Sequence, residues 1–244
     1  LKWINNVGIG ALKGVICLGE RQRSRLQTYS NWPKDDSQFS IEVPPWDNRR
    51  LPNVPKGENR FIKLHKLEGK RIALYAGNLG EGHCYWELLD LVRYLEQEGG
   101  ETGALWRIVF VIRGSGEKAL MRESSQYGNV IILGYQPHEL TADLLWSADI
   151  HLITMKKGWE GIVVPSKLYG VLQTNSPVLY VGPDDSDTAN EIQRHGAGFI
   201  FPNGTSGKRL AEELLHEQES VMPNRVKPTT GGPLQIVDFL SRST

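Results

Sequence analysis

Cysteine is almost missing from this chain. Its 244 residues hold two, Cys17 and Cys84, far apart and in neither a zinc nor a redox spacing. Free thiols in a reducing compartment are the simplest reading. Charge of one sign is missing too. Lys plus Arg and Asp plus Glu number 28 each, so the formal net charge is zero. No basic excess points to nucleic acid, and any selectivity for an anion must be local. No apolar run approaches the roughly 20 residues that cross a bilayer. The chain opens on Leu1, without a charged leader region or a small-residue cleavage site. A fragment or processed product without a signal peptide is expected. The six histidines form no HExxH and no Cys/His cluster, and there is no G-x-S-x-G elbow, so zinc proteolysis and serine esterase chemistry find no support.

What is present is regular alternation. Residues 1–13 place Ile4, Val7 and Ala11 on one helical face, weakened by Gly8 and Gly10; a short strand at 14–18 and an Arg-rich helix at 20–29 follow. Core packing is the expected role of the first helix, with membrane contact the alternative. Residues 31–57 carry Pro33, Pro44, Pro45, Pro52 and Pro55. Proline fixes φ and biases its predecessor towards extended structure, so a semi-rigid linker is expected, with one strand at 39–43 inside it. From Lys70 onward, strands at 71–76, 106–112, 129–133, 149–153, 177–181 and 198–201 alternate with helices, the last helices at 206–219 and 234–241. Continuous Val/Ile/Leu strands between helices predict an α/β, Rossmann-like parallel sheet with helices on both faces. About 175 residues suffice for its core. The expected divisions are 1–30, 31–57, 58–225 and 226–244, the last a tail helix.

Right-handed crossovers bring the strand-to-helix loops to one edge, where such sheets bind ligands. Four loops there could carry chemistry. GNLGEGH, residues 77–83, has Gly77, Gly80 and Gly82. Glycine lets backbone N–H groups approach a phosphate. The gaps do not spell G-x-G-x-x-G, and no P-loop Lys-Ser/Thr follows. His83 could bond a phosphate; a surface histidine at a helix start is the alternative. Arg113-Gly114-Ser115-Gly116 is a tight turn whose Arg113 could reach a base or phosphate, or be solvated. Gly134-Tyr135-Gln136-Pro137 offers an aromatic face for a base, or a plain structural turn. The fourth stretch, WEGIVVPSKLYGVLQTNSPVLYVGP at 159–183, opens a helix with Pro165, Ser166 and Lys167. Free amides, a helix dipole and an ammonium could converge there on an anion. An ordinary helix start with a surface lysine is the alternative. Asp185-Ser186-Asp187 spells D-x-D, a divalent-cation pattern, but Thr188 and Glu191 give it capping spacing, and helix capping is preferred.

Taken in series, GNLG, VIRGSGE, ILGY, HEL, SADIHLI, VVPSKLYG and SPVLYVGP resemble the C-terminal, donor-binding domain of GT-B glycosyltransferases. The resemblance covers residues 39–215. It is greatest to the retaining family 4, in its bacterial polysaccharide and lipid-linked-sugar branch. Residues 1–29 look like the tail of the acceptor-binding domain, most of which is then absent. The resemblance implies transfer of a sugar from a nucleotide diphosphate, UDP- or GDP-linked, to an acceptor hydroxyl with retention. Glycan or lipid-linked acceptors, the missing N-terminal domain as partner, a cytoplasmic location and peripheral membrane contact through the absent half are implied with it. No cofactor, metal or nucleic acid is. Carried over by residue, Gly77, Asn78, Leu79 and Gly80 belong to the diphosphate loop. Arg113, Gly114 and Tyr135 lie near the base, and Pro165 and Ser166 at the helix start below the diphosphate. His83, Lys167 and Glu160 are the candidate catalytic groups. The sequence departs from the family in two places. Its Arg-and-Lys pair appears as Asn78 and His83, and its paired glutamates fall on Ile162 and Gly170, with Glu160 nearby or solvated in its loop. A non-catalytic nucleotide-sugar-binding subunit is the competing expectation.

Overall fold

The computed structural model describes residues 2–35, 39–43, 51–164 and 166–216. The chain begins with helix α1 (Lys2–Gly10), strand β1 (Val15–Cys17), helix α2 (Glu20–Gln27) and strand β2 (Ser40–Glu42). β2, expected inside a linker, pairs in parallel with β1 as a separate two-stranded sheet. Ile9, Cys17 and Trp32 bury a small apolar cluster beside it, with Phe39 edge-on to Trp32 at 5.1 Å. Helix α3 (Arg60–Leu64) is short, because Lys66 turns to a φ of 54° and ends it.

The main body then runs β3 (Arg71–Asn78), α4 (Trp86–Gln97), α5 (Gly100–Leu105), β4 (Trp106–Arg113), α6 (Glu117–Ser124), β5 (Val130–Leu133), a 3-10 turn (His138–Leu140), α7 (Thr141–Ser147) and β6 (Ile150–Thr154). It closes with α8 (Lys167–Val171), β7 (Val178–Val181), α9 (Asp187–His195), β8 (Gly198–Phe201) and α10 (Gly207–His216). α5 was not legible: GETGAL carries two glycines and too short an apolar pattern, and it forms where the chain folds back from α4 into β4. The helix expected between the strands at 129–133 and 149–153 is divided, its first turn wound as 3-10 after Pro137. The tail helix at 234–241, and the end of the helix expected at 206–219, lie outside the described residues.

All six strands of the main sheet are parallel, in the order β5-β4-β3-β6-β7-β8. They are apolar on both faces because both faces are covered. On one side Leu88, Leu91, Val92, Leu95, Leu210 and Leu214 from α4 and α10 bury Tyr75, Phe110 and Leu152. On the other, Phe61 and Leu144 cover Leu74 and Val109, while Leu168, Val171 and Ile192 cover Ile153 and Tyr180. α10 sits on α4 so closely that a Cβ at Gly207 would lie 2.1 Å from the Asp90 carbonyl carbon.

The strand order sets where a ligand can sit. From β3 the chain steps outward to β4 and β5, then returns to place β6 on the other flank of β3. The loops after β3 and β6 therefore leave the sheet in opposite directions and open a crevice at its carboxyl edge.

Candidate anion site at the sheet edge

The floor of the crevice is built by the last residues of β3. Asn78 lies in register with Arg113 of β4, and the Leu79 N–H continues the ladder to the Arg113 carbonyl at 2.8 Å. Gly116 N–H returns to the Leu79 carbonyl at 3.0 Å, so the two glycine turns are bonded to each other. Gly114 has φ 126°, and a Cβ there would stand 2.5 Å from Asn78 Oδ1 and 2.8 Å from the Leu79 oxygen. Only glycine fits. Gly77, at φ 143°, leaves room for another side chain: its missing Cβ would be 3.3 Å from Lys167 Cδ.

That side chain is the centre of the site. Lys167, the first residue of α8, lays its stem across Gly77 and puts Nζ 3.7 Å from the centre of the Tyr75 ring. Nζ is shielded from solvent and has no hydrogen-bond partner among the described residues. Burial pushes its pKa down from 10.5 to about 7. An ammonium deprived of water and of any carboxylate is costly, and the aromatic face returns only part of the loss. The lysine at the helix start faces the sheet edge rather than solvent. α8 itself has five residues and ends at Val171. So short a helix has little dipole to offer, and the charge at this edge is a side chain's.

His83 stands across Tyr75 from the lysine, its ring edge-on to that of Tyr75 at 6.3 Å. A carbonyl can only accept, so the 2.6 Å contact between Nδ1 and the Thr154 oxygen fixes the proton on Nδ1. Nε2 is left as an acceptor, without a partner among the described residues. Burial foremost, then the proximity of Lys167, lowers the His83 pKa to about 4 against the opposing pull of the Thr154 bond; Lys156 lowers it further. The imidazole is therefore neutral at pH 7 until an anion arrives. A protonated His83 is therefore disfavoured before an anion binds. His151, fully buried behind Lys167, is likewise held neutral, its pKa near 3 from burial and then from the lysine. Its Nε2 lies 3.2 Å from Thr174 Oγ1.

At the β4 side of the crevice the Arg113 guanidinium lies 4.5 Å over the Tyr135 ring. Tyr135 is 48% exposed, so the pair presents an accessible flat surface. Gly77, Asn78, Leu79, Arg113, Gly114 and Lys167 thus share one contiguous edge with Tyr135 and His83. Gly80 joins them through its carbonyl, which accepts from the His83 N–H at 3.1 Å. Ser166 is exposed just before Lys167 and makes no side-chain cap bond. Pro165 lies outside the described residues. Glu160 turns back on its own loop, accepting from the Gly158 N–H at 2.9 Å.

The D-x-D stretch is used as a helix start. Ser186 Oγ accepts from the Ala189 N–H at 3.2 Å, Asp187 Oδ1 accepts from the Arg21 N–H at 3.1 Å, and Asp185 pairs with Arg21 at 3.3 Å. Among the described residues no group of three or more His, Cys, Asp or Glu side chains is placed to hold a metal ion, and no helix is long and apolar enough to cross a membrane. Sequence reasoning missed Tyr75 and the Thr154 carbonyl. Both sit in runs that read only as buried strand, and their roles come from what packs beside them.

No family model matches the chain. It is 24% identical over 169 residues to WbjE of Pseudomonas aeruginosa, a probable glycosyltransferase, covering 66% of this chain and 40% of WbjE. The chain thus spans less than half the length of that relative. Its fold matches HepE of Anabaena, solved in complex with UDP-glucose, at a TM-score of 0.72 and 13% identity, covering 98% of this chain and 68% of HepE. It also matches WaaG, a glycosyltransferase involved in lipopolysaccharide biosynthesis, at a TM-score of 0.64 and 14% identity, over 93% of this chain and 56% of WaaG. The parallel sheet, the crevice beside its central strand and these likenesses agree: the chain has the Rossmann-like fold of the GT-B glycosyltransferases and resembles members that serve bacterial polysaccharide synthesis.

Proposed function

We propose that this chain is the donor-binding part of a glycosyltransferase that moves a sugar from a nucleotide diphosphate to an acceptor hydroxyl, in polysaccharide or glycolipid synthesis and with retention at the anomeric carbon. The observation that carries the reading is Lys167: a buried ammonium with no hydrogen-bond partner, held between a glycine turn and an aromatic face at the switch point of a parallel sheet. A diphosphate supplies the negative charge that this cation lacks. The Arg113–Tyr135 pair offers the flat surface a base would stack on. UDP-glucose in the structurally similar HepE supports a UDP-linked donor; GDP is the other candidate.

In the reaction the bond between the anomeric carbon and the diphosphate oxygen breaks, the acceptor oxygen takes its place, and the acceptor's proton passes to the departing diphosphate or to water. Negative charge grows on the leaving diphosphate. Lys167 and the amides of the 77–83 loop stabilise that charge from fixed positions, and such preorganised electrostatics often contribute more to rate than any other effect. Loss of one such donor typically raises a barrier by about 3 kcal/mol. His83 contributes once the arriving anion raises its proton affinity. Glu160 is the candidate for contact with the sugar.

Calorimetry with UDP, GDP and ADP tests the binding half of this reading. Binding of a uridine or guanosine diphosphate that is lost in Lys167→Ala is the expected result; equal affinity in the variant removes Lys167 from the site. Turnover of a nucleotide sugar by the complete gene product distinguishes a transferase from a nucleotide-sugar-binding subunit.

A further inference from the structure

Glu87, the second residue of α4, is a buried carboxylate outside the crevice just described, 8% exposed. Its hydrogen bonds come from neutral groups. Oε1 accepts from the Gly204 N–H at 2.9 Å and Oε2 from Cys84 Sγ at 2.8 Å, and the Asn203 side chain is a further donor. Three bonds and the first turn of a helix together make a buried carboxylate tolerable. What they connect is informative. Cys84 follows His83 directly. Asn203 Nδ2 reaches on to the Met155 carbonyl at 3.0 Å, one residue beyond the Thr154 carbonyl that holds His83 Nδ1. Lys156 N–H then closes back onto the Gly82 carbonyl at 2.9 Å. One carboxylate thus joins the loops that follow β3 and β8 directly, and through Asn203 the loop that follows β6, whose Thr154 carbonyl holds the His83 ring.

We propose that Glu87 is a positioning residue: by tying these three loops together it holds His83 as the Nδ1–H tautomer, with Nε2 turned to the anion site, where it donates once the arriving anion has raised its proton affinity. The proposal rests on the assignment of His83 to that site. Supporting hydrogen bonds of this kind commonly matter about ten- to a hundredfold in ligand affinity, because they fix the orientation of a ring that would otherwise turn. A glutamine at position 87 can still accept from Gly204, but its amide nitrogen cannot accept from Cys84. Glu87→Gln therefore loosens the His83 side of the network first.

The test is a pair of readouts on the full chain. The first is the ring nitrogen NMR shifts of His83 in the nucleotide-free protein; the second is UDP affinity. Glu87→Gln is expected to shift His83 towards a mixture of tautomers and to weaken UDP binding about tenfold. Cys84→Ser, which keeps a donor to the carboxylate, is expected to retain both. If Glu87→Gln fails to fold, Asn203→Ala cuts the arm to Met155 and is expected to move the same two readouts. A variant that melts earlier but keeps the single tautomer and an affinity within twofold of the parent overturns the proposal, since Glu87 is then only structural. Absence of UDP binding by the parent chain refutes the donor-site reading instead, and the tautomer measurement alone then decides the role of Glu87.

Discussion

Replacing Lys167 with methionine should make the protein more stable and less able to bind its nucleotide. The pKa of Lys167 falls from 10.5 to about 7, because burial disfavours its charged form. Below pH 7 the buried charge costs ~5 kcal/mol relative to an exposed lysine. Methionine keeps most of the stem, lies against the same Tyr75 ring and carries no charge. A gain of about 5 kcal/mol at pH 6 follows for Lys167→Met. The sign of the pH dependence is fixed by proton counts. The unfolded lysine keeps its proton up to its ordinary pKa of 10.5, whereas the folded one releases it near 7. Between these values the unfolded state binds more protons, so the wild-type protein gains stability as pH rises. The advantage of the variant should shrink to about 1 kcal/mol near pH 9.5. Urea unfolding at the two pH values, with UDP calorimetry on the same samples, measures all three quantities. A variant that is less stable at pH 6, or that binds UDP as the parent does, refutes the reasoning. The first result would mean that the ammonium is satisfied without a nucleotide, the second that no anion meets it.

Other consequences follow from the same geometry. At pH 8 Lys167 is mostly neutral before binding, so a diphosphate that restores its charge should take up close to one proton. Calorimetry in two buffers of different ionisation enthalpy reads this directly, and identical heats would exclude it. UDP affinity should accordingly weaken as pH rises above about 7, approaching tenfold for each pH unit, with no comparable loss in Lys167→Met, which starts weak. Gly114→Ala places a Cβ against Asn78 Oδ1 and the Leu79 oxygen at a φ of 126°, and should lower stability by about 2 kcal/mol in urea unfolding. Tyr135→Ala removes the exposed ring beneath Arg113 and should cost nucleotide affinity by about 1–3 kcal/mol if a base stacks there, with little change in melting temperature.

Much of this molecule was written locally. The Val/Ile/Leu runs of 106–112 and 177–181, each between helical patterns, were enough for parallel strands buried on both sides. The glycines at 77, 80 and 114 marked the turns, and Ser186 with its capping spacing marked a helix start. Side-chain periodicity and turn chemistry act within a few residues, so a linear string can express them. The state of the site could not be read in that way. For Lys167 the sequence left an anion site and a surface cation equally open, and it became a buried group with a pKa near neutrality only because β6 folds back beside β3 and lays it over Tyr75, which is 92 positions away. For His83 it left a phosphate partner and a surface histidine open; burial made the ring neutral, and the carbonyl of Thr154 made its Nε2 the acceptor. Desolvation and hydrogen-bond direction depend on what encloses a group, and that enclosure exists only once strands distant in the chain lie side by side.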